Sequence, residues 1–282
     1  MAQATERQAG AEPLAPKAGL AEGERRAAEQ NAAIRLQGVR LTYANGKTDA
    51  VALGGVDLSI AGEQFVCVLG PSGCGKTSLL RVIAGYERVT EGEVTVFGRK
   101  HTAPHPEVGI VFQQANLFPW LTVRGNVEFG LKMAGLPKAD RRALAMDHIG
   151  RVGLAAYASL LPHQLSGGMK QRTAIARTLA TEPRIVLMDE PFAALDAITR
   201  ETLQDQLRTI WSQTGKTIFF ITHDVDEALL LSTRLLVMQG SPGRIVADLD
   251  NPLHAAGGSF ALLRQHKQYA ELRRQLVEML KS

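Results

Sequence analysis

The chain is poor in the features that would mark it as anything but an ordinary globular protein. Of its 282 residues only two are cysteine, Cys67 and Cys74. That is too few for a disulfide-built scaffold, so a reducing compartment is expected. Long apolar runs are missing. Stretches such as "TIFFI" and "EALLL" stop far short of the roughly 20 residues a bilayer span needs. The N-terminus lacks the apolar core of a secretory signal, so nothing in it argues for export. Charge of one sign is not in large excess. A formal net charge of +4 permits contact with an acidic surface but does not identify a nucleic acid, and none is expected as a partner.

What is present is organised in blocks. Residues 1–33 are rich in alanine and charge and almost devoid of large apolar side chains. A segment that cannot bury apolar surface does not offset its ordering entropy, so a mobile tail is expected, with room for a short helix over 22–33. From Ile34 onward come strand-like runs: "IRLQGVRLTY", "VDLSI", "EQFVCVLG", "GEVTVFG" and "VGIVFQ". A helix-rich middle follows over about residues 122–182. Then "RIVLMDE", "TIFFITH" and "RLLVMQ" read as buried strands separated by helical segments. Apolar strands alternating with helices predict an α/β fold around a parallel sheet covered on both faces. The closing "FALLRQHKQYAELRRQLVEML" reads as one amphipathic helix.

Four local patterns carry chemistry. The first, "GPSGCGKTS", lies between an apolar run and a helical one and matches the phosphate loop G-x-x-x-x-G-K-[ST] at Gly70, Gly75, Lys76 and Thr77. Its glycines free backbone N–H groups to wrap phosphates, the lysine meets the β and γ oxygens, and the hydroxyl reaches Mg²⁺. The candidate nucleotide site is therefore Gly70, Pro71, Ser72, Gly73, Cys74, Gly75, Lys76, Thr77 and Ser78. Helix N-termini lower thiol pKa values, so Cys74 is also a candidate reactive thiol. The second pattern is "RIVLMDEP", an apolar strand ending in two acids. By itself this also describes a solvated turn. A little over a hundred residues after a phosphate loop, it predicts Asp189 on Mg²⁺ and Glu190 orienting or deprotonating the attacking water. The third is "FFITHDVDEA", where His223 follows another buried strand and is expected at the γ-phosphate. A fourth stretch, "LSGGMKQR", places Ser166 as cap and Gly167 and Gly168 at the start of a helix, an arrangement suited to an anion.

Together, in this order, the motifs resemble the nucleotide-binding subunit of an ATP-binding-cassette transporter, over roughly Ile34 to Leu249. The resemblance implies a P-loop NTPase core with a mixed sheet, an antiparallel β subdomain and an inserted helical subdomain. Its boundaries would be 34–250 for the ATPase domain, about 115–175 for the helical insert and 251–282 for a C-terminal helical extension. It further implies a head-to-tail ATP-sandwich dimer, in which Ser166, Gly167 and Gly168 hold the γ-phosphate bound to the partner chain. By the same resemblance Gln113 in "IVFQQ" senses Mg²⁺ and the γ-phosphate. Asp196 in "AALDA" connects the two sites, and Tyr43 stacks on adenine. Met169 stands where many members carry glutamine.

The expected activity is ATP hydrolysis coupled to transmembrane transport, with permease subunits supplying the pore. Leu117, Phe118 and Trp120 around Pro119 are candidates for the docking groove, with core packing as the alternative. "LFPWLTVRGNVEFGL", "DEPFAALDAITR" and "SPGRIV" most resemble the nitrate, sulfonate and taurine importer branch, in which an extracytoplasmic binding protein delivers the solute. The chain would sit on the cytoplasmic face of the inner membrane. Bicarbonate, cyanate and pyrimidine-type vitamin precursors remain alternative solutes. A soluble cassette ATPase and a nucleotide switch without turnover are the readings outside transport.

Overall fold

A computed structural model describes residues 32–44, 49–256 and 259–281. The expected tail over 1–31 lies outside the described residues. Ala32 and Ala33 do not belong to a tail or a helix, because β1 (Ala32–Tyr43) already begins there and both side chains are buried. Next in the chain come β2 (Ala50–Ala61), β3 (Phe65–Leu69), α1 (Lys76–Ile83), β4 (Glu91–Val96), β5 (Arg99–Lys100) and β6 (Val108–Val111). The helical insert holds α2 (Val123–Met133), α3 (Lys138–Arg151) and α4 (Gly167–Ala180). After it the chain forms β7 (Ile185–Asp189), α5 (Ala197–Thr214), β8 (Thr217–Ile221), α6 (Val225–Leu231), β9 (Arg234–Gln239) and β10 (Arg244–Asp250). Three helices end it: α7 (Leu253–Ala256), α8 (Phe260–Gln265) and α9 (Tyr269–Lys281).

Two sheets result. The larger runs β10-β9-β3-β8-β7-β6, parallel throughout except for β10, which pairs antiparallel with β9. The sheet is thus mixed, as the family resemblance implied and the apolar runs alone did not. Every residue of β3, β7 and β8 is buried, which explains their unbroken apolar sequences. Alternate side chains of β3 serve two cores. Phe65, Cys67 and Leu69 face the helical side, while Val66 and Val68 face α1 and the second sheet. That second sheet, β2-β1-β4-β5, is antiparallel and pairs Leu36 with Leu58 and Val94 on one buried face.

The C-terminal segment corrects an expectation. It forms two helices with a break at His266–Gln268, where His266 takes an extended backbone and its Nδ1 accepts from the Gln268 amide at 3.3 Å. The break lets α9 turn its Leu272 and Leu276 into the core against α6. Tyr269 Oη and Arg273 Nε donate to Asp226 on α6 at 2.7 and 2.8 Å.

Candidate functional site

The carboxyl ends of four adjacent strands, in the order β3, β8, β7 and β6, lead directly into the predicted motifs. Ligands collect at this edge in open α/β sheets. β3 runs into Gly70–Ser78 and β8 into His223, while β7 ends in Asp189–Glu190 and β6 leads to Gln113. Register aligns them. Val111 pairs with Met188, and Asp189 with Ile221.

The loop after β3 closes around its own lysine. Gly75 holds φ 93° at the N-terminus of α1, a left-handed conformation that a side chain would strain. Lys76 is buried, and its ammonium donates to the carbonyls of Gly70 at 2.7 Å and Pro71 at 2.9 Å. Pro71, Ser72, Gly73 and Thr77 are exposed, so the rim of the loop is open. Cys74 is different. Its side chain is buried in the core shared by α1 and the β3–β9 pair, which removes the basis for an accessible reactive thiol. Tyr43 ends β1 half-buried, and its hydroxyl donates to Ser78 Oγ at 3.4 Å, bringing the ring to the start of α1.

Asp189 is buried at the end of β7. Burial raises its pKa, opposed by a hydrogen bond from the Thr77 hydroxyl, and the neighbouring Glu190 raises it further. Glu190 adopts φ 44°, which costs a non-glycine residue about 1 kcal/mol or more. That turn carries its carboxylate between two other candidate site residues. Gln113 Nε2 donates to Glu190 Oε2 at 3.2 Å, and His223 Nδ1 lies 3.4 Å from the same oxygen. His223 is otherwise two-thirds exposed, whereas Glu190 is about one-fifth exposed. Three residues separated widely in sequence thus meet at one oxygen.

The signature stretch lies on the helical insert. Ser166 caps α4 with its Oγ accepting from the Met169 amide at 3.2 Å, as its sequence position predicts. Ser166 and Gly167 are exposed, and a Cβ on Gly167 would meet nothing within 4 Å. No contact among the described residues therefore accounts for the glycine. Asp196 caps α5, accepting from the Thr199 amide at 2.9 Å, and the amide and hydroxyl of Thr199 hold its pKa below the usual carboxylate value. Ile198, in the first turn of the same helix, is 81% exposed.

Several residues that sequence reasoning passed over tie these parts together. From α4, Gln171 Nε2 donates to Phe112 O at 2.9 Å, and Thr178 Oγ1 donates to Ile110 O at 3.0 Å. Arg177 reaches the carbonyls of Ala115 and Asn116 at 3.0 and 2.8 Å. Asn126, fully buried, donates to the carbonyls of Phe118, Leu121 and Thr122 and accepts from the Phe118 amide. These bonds fix the loop after Gln113 to the helical insert. The loop's apolar side chains divide: Leu117 packs on the core, while Trp120 is 73% exposed. Phe118 stacks between Trp120 and Phe129, with ring centroids 5.8 and 4.5 Å away.

Comparison with known proteins decides the family. The ABC transporter family profile matches residues 53–193, a span that includes the phosphate loop, the signature and the Asp189–Glu190 pair. An uncharacterized ABC transporter ATP-binding protein of Methanocaldococcus jannaschii is 48% identical over 234 residues, covering 82% of this chain and 84% of its own. The chain belongs to the ABC transporter family. A taurine import ATP-binding protein of Rhizobium johnstonii is 46% identical across 82% of this chain and 89% of its own length. Its namesake in Yersinia pestis is 51% identical across 70% and 78%. Among solved structures, a dimeric ATP-binding cassette in a post-hydrolysis state, bound to ADP and Pi, superposes with a TM-score of 0.71 at 34% identity. It covers 77% of this chain and 98% of that one. The protein is thus an ATP-binding, ATP-hydrolysing cassette of this family with the P-loop NTPase fold.

Proposed function

We propose that this ABC cassette is the motor subunit of an importer for a small organic or inorganic anion of the sulfonate, taurine or nitrate type. The observation that carries the hydrolytic part is the meeting of Gln113 and His223 on the Glu190 carboxylate, beside Lys76 and Asp189 at one sheet edge. Glu190 accepts the proton of the attacking water, while Gln113 and His223 orient that carboxylate toward the γ-phosphate. Lys76 leaves its loop carbonyls for the β and γ oxygens, and Tyr43 flanks the base. Two copies place Ser166, Gly167 and Gly168 of one chain over the phosphate loop of the other, with Asp196 and the exposed Ile198 on the same seam. The open space at Gly167 supports this arrangement.

Magnesium suits the donors available. A buried carboxylate whose ionised form is disfavoured gains from a cation, and the Thr77 hydroxyl stands beside it. Thr77, Asp189 and the Gln113 amide oxygen would hold the ion. No group of three or more His, Cys, Asp or Glu among the described residues would bind a metal unaided, so water and phosphate oxygens must complete the shell. When bound, the ion neutralises charge on the β and γ oxygens.

The importer reading rests on the relatives named for taurine import and on the Phe118–Trp120–Phe129 patch after Gln113. Such a partly exposed aromatic cluster is suited to a short helix of a permease. No helix among the described residues is long and apolar enough to cross a membrane, so the chain would act at the cytoplasmic face through its permease. Glu190→Gln tests the chemistry. It is expected to abolish turnover, keep ATP binding and accumulate an ATP-bound dimer, and normal steady-state hydrolysis would refute the assignment. Affinity purification from gently solubilised membranes tests the transport role. A multi-span permease should co-purify, and recovery with ribosomal or DNA-bound partners would overturn it.

A further inference from the structure

We propose that Glu227, buried on α6, is a positioning residue for the hydrolytic step. It locks the Thr222–Asp224 turn that presents His223 and joins that turn to the helix beginning at Asp196. The inference rests on the assignment of Glu190 and His223 above.

A carboxylate in the interior is costly unless it is fully paired, and Glu227 is only 7% exposed. It spends both oxygens on fixed partners. Oε2 accepts from the Thr222 hydroxyl at 2.6 Å, and Oε1 accepts from Gln204 Nε2 on α5 at 3.0 Å. Arg200 Nε, also on α5, lies 3.9 Å from Oε1. The Thr222 hydroxyl in turn accepts from the Asp224 amide at 3.0 Å, and Asp224 Oδ1 caps α6 by accepting from the amides of Asp226 and Glu227. His223 therefore stands between two residues that are each pinned, while its own side chain projects toward Glu190. Glu190, His223, Glu227 and Arg200 line one small cavity of about 50 Å³. Among the described residues no hydrogen bond or ion pair other than that to Glu190 holds the exposed imidazole, so the backbone of its turn sets its position.

The same cluster reaches the N-terminal end of α5. Arg200 NH2 donates to Leu195 O at 3.0 Å, next to Asp196. The Asp196 cap and the His223 turn are thus joined through Arg200, Gln204 and Glu227. Burial raises the Glu227 pKa, opposed by its bonds from Thr222 and Gln204.

The test compares Glu227→Ala, Glu227→Gln and Thr222→Val, alone and over His223→Ala, by phosphate release in steady state and in a single turnover. Glu227→Ala and Thr222→Val are expected to lower kcat about tenfold with the KM for ATP changed less than about twofold, and Glu227→Gln should recover part of the loss. Over His223→Ala the same changes should cost less than about twofold, because their effect passes through His223. Thr222→Val leaves the Glu227 oxygen and the Asp224 amide without the hydroxyl, so thermal unfolding is read for every variant, and Glu227→Gln, which keeps the side-chain length, carries the kinetic comparison over His223→Ala if the others do not fold. Fully multiplicative losses over His223→Ala, or a raised KM at unchanged kcat, would overturn the proposal. Glu190→Gln separates this from the site assignment. Wild-type hydrolysis in that variant would sink the assignment itself, whereas an inactive Glu190→Gln with multiplicative Glu227 losses would sink only the positioning role.

Discussion

Gly243→Ala should weaken ATP binding although Gly243 lies far from the phosphate loop in sequence. The glycine sits in the turn between β9 and β10, where Gly243 N donates to Ala52 O and Gly54 N donates to Gly243 O, both at 3.0 Å. A Cβ there would collide with the carbonyl oxygen of Cys74, and it would lie 3.0 Å from the Cys74 carbonyl carbon and 3.2 Å from Ala52 O. All three obstacles are backbone atoms, so no rotamer change relieves them. Overpacking of this kind costs about 1–3 kcal/mol. If the loop yields, that strain is lost from nucleotide affinity, roughly five- to a hundredfold at 1.4 kcal/mol per decade. Equilibrium titration with a fluorescent ATP analogue reads the affinity, and thermal unfolding without nucleotide reads the stability. Gly62→Ala is the control, since a Cβ there meets nothing within 4 Å. About tenfold weaker binding is expected for Gly243→Ala and no change for Gly62→Ala. A lowered Tm with unchanged ATP affinity would show that the turn absorbs the strain and does not brace the loop, refuting the reasoning.

Three further outcomes follow from particular side chains. Gly167→Ala should leave the thermal unfolding of the isolated chain unchanged or raise it, since alanine is the better helix former by up to about 1 kcal/mol. ATPase activity should nevertheless fall, and full activity would deny that a partner approaches this glycine. Tyr43→Ala should weaken nucleotide binding about tenfold, the scale of one aromatic contact, while Tyr43→Phe should bind normally. Unchanged affinity in Tyr43→Ala would reduce the ring to strand packing. His148, half-buried in the helical insert, has its pKa lowered by burial and by Arg151. The folded state then binds fewer protons than the unfolded one, so the contribution of His148 to stability is present above the unfolded histidine value of about 6.5 and is lost as pH falls below it. His148→Gln should therefore flatten the decline of Tm between about pH 7 and 5, and an identical decline would count against the burial argument.

The hydrolytic motifs were legible because each is short and sits where a buried strand ends. In "VCVLGPSGCGKT", "VLMDE" and "FFITH" the apolar run marks the strand, and the next polar residues must emerge at its carboxyl edge. The Ser166 cap was readable for a similarly local reason, whereas the capping role of Asp196 emerged only in the structure. Other features depended on segments far apart in sequence. Both faces of β3, β7 and β8 are buried, so their composition carries no alternation to say which side chain serves which core, and it gives β9 and β10 no direction. The terminal amphipathic pattern did not reveal the break at His266, because the break serves the docking of α9 on α6. Gln171, Asn126 and Glu227 look like ordinary polar residues on helices. Their partners, Phe112 O, the Phe118–Thr122 carbonyls and the Thr222–Gln204 pair, come within reach only after the chain has folded. Sequence by itself determined which groups stand as candidates for the chemistry, since that follows from residue type at a strand end. Only the tertiary structure decided how Gln113, Glu190 and His223 share one oxygen, because hydrogen-bond geometry between three strands depends on register and not on composition.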